Sequence, residues 1–551
     1  MNNGFLYAHG WRTTDDGSCY TKYLAFGGVA GVAVGNVTKC HNNGNVDVAA
    51  TLTGGAKDAG YVGYSGWGAV GGIVGHSGTK AYTISGCTNR AETMNVDMHM
   101  LKANGSSGAF GGVVGVSNAN LSDCQNYANI DLSSRFKTLY AGGVAGYYAI
   151  NAVTDGLCNY GDLTFDAGVI PSGNANQSVS LRVGGILGYI TGNVNNTKSG
   201  FKPWINEGNL TISGGNASTN KNYGGIIGYV DATGTNLAIR GEKAKNFWNK
   251  GNITVTGSVA VTYVGGVHGY MNIHKDKGAD AVDMHYSHND GNITVDVANA
   301  AAVGGIVGSY TYGCIYASFN TGKITVNSSK GDLWVGGVAG NAGNGRRMVG
   351  MGNDGDIDVT TTNTANTVYV GGLRGFVNGQ INKNGSVLNY NKGNVSVTTS
   401  AKTTYVGGIA SLDGATNVAA SNSGNINYTY TGEASTDVKV YASLGIAYRN
   451  GPEYNPEKPN DSKLEGTFSG TITFNNASGI TTNCGLLNGL VNAKSRTTLK
   501  TVNIKKGTTV NGVTVSDVET DPGYYKSMSY LFGANTPSDA VFTITSLNLV
   551  D

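Results

Sequence analysis

One short phrase constrains this chain more than any other feature. Tyr263–Tyr270 reads YVGGVHGY, and versions of it return along most of the sequence. Before it stand AFGGVAG (Ala25–Gly31), AVGGIVG (Ala69–Gly75), AFGGVVG (Ala109–Gly115), YAGGVAG (Tyr140–Gly146), RVGGILG (Arg182–Gly188) and NYGGIIG (Asn222–Gly228). After it stand AVGGIVG (Ala302–Gly308), WVGGVAG (Trp334–Gly340), YVGGLRG (Tyr369–Gly375) and YVGGIAS (Tyr405–Ser411). The first glycines run from Gly27 to Gly407, ten intervals averaging 38 residues. A regular period of this size is the mark of stacked repeats, each too small to bury its own apolar face.

A second phrase follows each copy, Asn-x-Gly-[Asn/Asp]-[Ile/Val/Leu]-x-[Val/Ile/Phe], as in NKGNITV (Asn249–Val255) and NDGDIDV (Asn353–Val359). Asn tolerates left-handed backbone and bonds locally, and Gly accepts positive φ, so Asn249 and Gly251 are expected to form a corner. The residue between them varies through Lys250, Asp290, Thr321, Asp354 and Lys392, which predicts a solvent-facing side chain. Gly265 and Gly266 lack side chains on both faces and are expected to permit a close approach or a sharp bend. Downstream, Ile253 and Val255, Ile293 and Val295, and Ile324 and Val326 alternate with polar residues, the period of a strand with one buried face. Three strands per period and no helical pattern predict an all-β chain, a parallel β-solenoid or β-helix of about 11–13 coils, some 50 Å long at ~4.8 Å per coil. The expected divisions are an N-terminal cap (1–20), repeats (21–448), a Pro-rich loop (449–463) and a β-rich C-terminal cap of degenerate coils (464–551).

Composition limits function. Only 13% of the 551 residues are charged and the net charge is +2, with no long basic run, which argues against a nucleic-acid partner. No apolar run is long enough for a direct membrane span, and no cofactor motif is present. Cys40, Cys87 and Cys124 each stand two residues before the Asn of the second phrase, so they are expected to pile into an inward column of small buried thiols. Disulfides along the column are disfavoured, because ~4.8 Å between strands falls short of the usual ~5.5 Å Cα separation.

Spacing between the two phrases is longest in the fifth to seventh repeats, whose insertions lie within Thr191–Pro203, Asp231–Lys245 and Met271–Tyr286. Insertions from consecutive coils should touch and gather on one face, the usual binding face of a solenoid. The candidate contact residues there are Trp204, Phe247, Trp248, Tyr270, His274, His285, Tyr286 and His288. The rings at 204, 247 and 248 could stack on a ligand or point inward as the cysteines of earlier repeats do. His285-x-x-His288 has the ligand types of a zinc site, but no helix or tight turn brings them together, so a solvated polar loop is the preferred reading and no metal is assigned. A glycan-cleaving β-helix needs paired carboxylates at one register in neighbouring coils. Asp290 and Asp354 share a register but Thr321 separates them, and Asp162 and Asp356 lie further apart, so no catalytic residue is assigned.

The Gly-Gly-aliphatic-x-Gly strand joined to the Asn-x-Gly-Asn-Ile-x-Val corner resembles the GLUG repeats of bacterial surface proteins over about 21–448. The resemblance implies an exported β-solenoid on the cell surface or outer membrane of a Gram-negative bacterium, with an export signal or lipid anchor upstream. It carries over no catalytic residue, and HExxH, the zinc motif of the peptidases that contain such repeats, is absent. The expected function is non-enzymatic: an adhesin, or an accessory subunit of an outer-membrane complex, that binds a surface protein or glycan through the inserted loops. The alternatives are a carbohydrate-binding or carbohydrate-active β-helix and a passive stalk.

Overall fold

The structure is a computed structural model. It describes residues 6–9, 23–52, 67–78, 81–100, 107–136, 138–150, 154–167, 180–192, 194–196, 201–214, 220–232, 237–239, 246–258, 260–273, 283–311, 314–382, 388–413, 417–449, 462–491, 496–510, 513–514, 531–532, 541–544 and 546–551. Strands alone make up the regular structure of these residues. The chain divides into two compact units, Met1–His274 with His288–Val297, and Lys275–Ser287 with Ala298–Asp551.

In each unit the Gly-Gly strands pair in parallel with like positions in register. The first unit aligns Gly27, Gly71, Gly111, Gly142, Gly184, Gly224 and Gly265 in one column. The second aligns Gly304, Gly336, Gly371 and Gly407, then Ser443. The Ser443 coil is not one of the eleven copies, and Thr481–Cys484 stacks on it as a further coil. These two coils continue the ladder without a break, so the C-terminal region keeps the fold after the Gly-Gly signature has gone. At the other end Leu6–His9 pairs with Val46–Ala49, adding a strand beside the first coil.

Each coil runs from its Gly-Gly strand through a sharp bend into a second strand, then into a short strand ending at the Asn, and finally into the Ile-x-Val strand. The alternating residues of that last strand point inward as expected: Ile253, Val255, Ile293, Val295, Ile324 and Val326 are all 0–1% exposed. Burying each such side chain favours folding by roughly 1.5–3 kcal/mol. Among the described residues every strand pairing is parallel except Thr509–Val510 with Val513–Thr514.

The Asn-x-Gly corner works differently from the expectation. Neither its Asn nor its Gly has positive φ among the described residues. The Asn is a fully buried strand residue. Asn249 Nδ2 donates to Gly251 O at 2.8 Å and to Asn289 Oδ1 of the next coil at 2.8 Å. The same pair of bonds links Asn42, Asn89, Asn126, Asn159, Asn206 and Asn249 in sequence in the first unit. In the second unit it links Asn320, Asn353, Asn391 and Asn422. The corner Gly answers a steric demand: a Cβ on Gly251 would lie 1.9 Å from Gly208 O of the preceding coil. The left-handed turn falls three residues before the Asn, at Lys39 (φ 52°), Gly86 (62°), Asp123 (50°), Gly156 (66°), Tyr286 (62°), Ala317 (45°) and Gly350 (69°).

The residue after the corner Gly builds a second, outer ladder. Asn252 N donates to Asn209 Oδ1 at 3.0 Å, Asn209 N to Asp162 Oδ1 at 2.7 Å, and Asp162 N to Asn129 Oδ1 at 3.0 Å. A side-chain oxygen at this position accepts from the backbone of the next coil, which accounts for the Asn/Asp preference there.

A tyrosine-lined cleft at the Gly-Gly bend

The bend is tight because three glycines remove three collisions. A Cβ on Gly225 would meet Gly266 O at 2.1 Å and the Asn249 amide carbon at 2.3 Å. A Cβ on Gly228 would meet Val183 N at 2.5 Å, so the second strand lies directly against the Gly-Gly backbone of the preceding coil. Where Ser411 replaces the third Gly, its hydroxyl is buried and donates to Gly375 O. Away from the bend the outward faces of the two strands diverge, and their side chains form the walls of a cleft.

In the first three coils those walls carry no tyrosine. One column holds Ala25, Ala69 and Ala109, and the other Val32, His76 and Val116. From the fourth coil they become large. The first column continues as Tyr140, Arg182, Asn222 and Tyr263, and the second as Tyr147, Tyr189, Tyr229 and Tyr270. The second column is a continuous stack: Tyr147–Tyr189, Tyr189–Tyr229 and Tyr229–Tyr270 have ring centroids 5.0, 5.7 and 5.3 Å apart and planes within 20°. The Arg182 guanidinium lies 4.1 Å from the Tyr229 ring centre and 4.7 Å from that of Tyr189, within range of cation–π attraction. Its Nε is buried without a hydrogen-bond partner.

Between these walls is a cavity of about 460 Å³, lined by Ser180, Arg182, Asn220, Asn222, Tyr229, Tyr263 and Tyr270. That volume is in the range of small-ligand sites, ~300–1,000 Å³. Burial holds the Tyr140, Tyr147, Tyr229 and Tyr263 hydroxyls above the usual phenol range. Burial raises Tyr189 too, reinforced by its hydrogen bond to Asp231 Oδ2 at 2.7 Å. Tyr140, Tyr147, Tyr229 and Tyr263 therefore stay protonated at neutral pH, as does Tyr189, whose hydroxyl is given to Asp231.

Of the candidate contact residues, only Tyr270 belongs to this cleft. Trp204 and Phe247 are fully buried and pack edge-to-face at 5.2 Å, with Trp204 Nε1 donating to Thr154 O at 3.3 Å. They are core residues, not contacts: they stand two before the Asn, and strand alternation turns that position inward. Cys87 and Cys124 occupy the same position and are buried free thiols, with Cys40 half-buried above them. Trp248, one residue on, faces outward into a closed polar network. Its Nε1 donates to Asp290 Oδ2 at 2.7 Å, Lys250 Nζ sits 4.0 Å from its ring centre, and His288 Nε2 is 2.8 Å from Asp290 Oδ1.

Tyr286 belongs to the second unit, half-buried at a left-handed turn and edge-on to Tyr316 at 6.3 Å. His274 lies outside the described residues. His285 lies in a strand, Asp283–His285, that pairs with Cys314–Tyr316, but its side chain is outside the description. Two of the three insertions do touch, through the pairing of Val194–Asn196 with Leu237–Ile239. Among the described residues no three His, Cys, Asp or Glu side chains gather as metal ligands.

The carboxylates weighed for catalysis all have structural partners. Asp354 takes Lys392 Nζ at 2.9 Å and the Tyr390 hydroxyl at 3.0 Å, and Asp356 Oδ1 accepts from Asn394 N at 2.8 Å. Asp162 and Asp290 are engaged as described above. Comparison of the chain with protein-family models, with curated proteins and with solved structures finds no match to any of the three.

Proposed function

We propose that this chain is a non-enzymatic recognition scaffold whose contact site is the tyrosine–arginine cleft of coils five to seven. The observation that carries the reading is the cavity itself: seven lining side chains from three consecutive coils, all aromatic, hydroxyl, amide or guanidinium, with no carboxylate or imidazole among them. Such a set can hold a ligand but offers no general acid–base pair. The engagement of Asp162, Asp290, Asp354 and Asp356 in the coil framework supports the same reading. The resemblance to surface-protein repeats, resting on the two phrases, favours display on a Gram-negative cell surface, as an adhesin or an accessory subunit of an outer-membrane assembly.

The test is a glycan array probed with the full chain, followed by a reducing-sugar assay on whatever is retained. Retention without turnover is expected, and Tyr270→Ala should abolish it while Trp248→Ala leaves it unchanged. Release of reducing ends would convert the reading to a hydrolase or lyase. Retention that survives Tyr270→Ala would move the site elsewhere.

A further inference from the structure

Building on that reading, we infer that the cleft takes an acidic saccharide chain, a polymer of uronate type, with Arg182 as the contact for a ligand carboxylate.

Among the described residues lining the cleft Arg182 is the one cation, and it is placed for an anion. Its side chain is half-buried and held against Tyr140, Tyr189 and Tyr229, with its guanidinium carbon 5.3, 4.7 and 4.1 Å from the three ring centres. Its contacts among the described residues are to these rings alone, so it has no protein carboxylate partner. Asp231, the acidic residue on the neighbouring wall, is bound by the Tyr189 hydroxyl. A guanidinium with a buried, unpartnered Nε retains unspent donor capacity, and a planar fork of this kind matches a carboxylate.

The surroundings favour a saccharide over a peptide. Stacking of the tyrosines on one another uses the faces of the inner rings and leaves ring edges to the cleft. The amide of Asn220 and the hydroxyl of Ser180 add hydrogen-bonding groups to the lining, while Asn222 Nδ2 is given to Leu181 O. A peptide that docks by adding a strand needs a free strand edge for its backbone. Here Lys221–Gly224 is already paired with Leu181–Gly184 on one side and Thr262–Gly265 on the other. Ile227–Ala232 is paired with Leu187–Thr191 and with His268–Ile273. Only side chains are on offer, and a polyhydroxylated chain bearing carboxylates can use all of them.

The experiment measures binding of the full chain to polygalacturonate, to the same polymer after carboxyl reduction, to dextran and to poly-glutamate, in low salt and in 0.5 M salt. Polygalacturonate is expected to bind best, with salt weakening it. Arg182→Gln should reduce that binding about ten- to hundred-fold, the loss of one charge-assisted contact, to the level of the carboxyl-reduced polymer. Unchanged melting establishes that this variant is folded. Should its melt fall, Arg182→Lys, which keeps the charge but not the fork, and Tyr270→Phe, which keeps the ring but not the hydroxyl, are each expected to weaken binding.

Equal binding of reduced and native polymer, with no effect of Arg182→Gln, would overturn the acidic assignment while leaving a glycan-binding cleft. Arg182-dependent binding of poly-glutamate at equal strength would replace the saccharide with an acidic peptide. Failure of every saccharide to bind would overturn both this inference and the reading beneath it.

Discussion

Asn249 shows how much depends on one side chain. Replacing it with Ala removes the acceptor for Asn206 and the donor to Gly251 O and Asn289, all inside the coil. Buried groups left without partners each cost about 1–3 kcal/mol, so Asn249→Ala should lower the thermal midpoint clearly, whereas Ser423→Ala, at an exposed corner position, should leave it unchanged.

His268 gives a pH prediction at the same scale. It is fully buried against Phe247, and desolvation pushes its pKa down to about 3. In the unfolded chain it titrates near ~6.5. Between these values the unfolded state binds the extra proton, so stability is intact above pH ~6.5 and falls as the pH drops towards 3. The slope contributed approaches about 1.4 kcal/mol per pH unit. Denaturant unfolding at pH 7 and pH 5 should show this loss in the parent chain and a smaller one in His268→Leu.

At the scale of the element, the strands were readable from the sequence because each carries a periodic signature. The alternation at Ile253 and Val255, the column of cysteines and the solvent-facing residue between Asn and Gly all follow from side chains pointing alternately in and out. The turn was misread because Asn and Gly have two uses, left-handed backbone and close packing, and the sequence does not distinguish them. The true left-handed position holds Gly86, Gly156 and Gly350 but also Lys39, Asp123, Tyr286 and Ala317, so no one residue type reveals it. The cleft does leave a signal in the sequence: the residue two before the first Gly and the residue after the third are both Tyr for the first time at the fourth copy. The insertions are the more conspicuous irregularity, while the recurring phrase itself carries Tyr263 and Tyr270. The glycines also make a sharp prediction. Gly225→Ala drives a methyl to 2.1 Å from Gly266 O, and because backbone meets backbone there, it should cost about 3 kcal/mol or more, visible as a large drop in melting temperature or in folded yield.

For the molecule as a whole, equivalence of coils is the governing property. Deleting Gly71–Phe110 removes one full period and joins Val70 to Gly111, the register partner of the Gly71 it replaces. The shortened chain should keep its β-sheet circular dichroism, a cooperative melt and the cleft of coils five to seven. Deleting only Gly71–Arg90 removes half a coil, leaves the strands on either side without like positions to stack on, and should abolish the cooperative melt. The buried amides add a property that the symmetric-looking repeats conceal. Nδ2 of Asn206 and of Asn249 is held to its own coil's Gly carbonyl, so the amide cannot be reversed, and its second hydrogen passes to the following Asn. In the second unit the run ends with Asn422 giving its hydrogen to Ser469 O. The filament of amides is a one-way circuit with a built-in polarity, each link strengthening the next. Within each unit a coil grafted after the run must present an acceptor and one grafted before it a donor, so a transplanted coil fits in one orientation only.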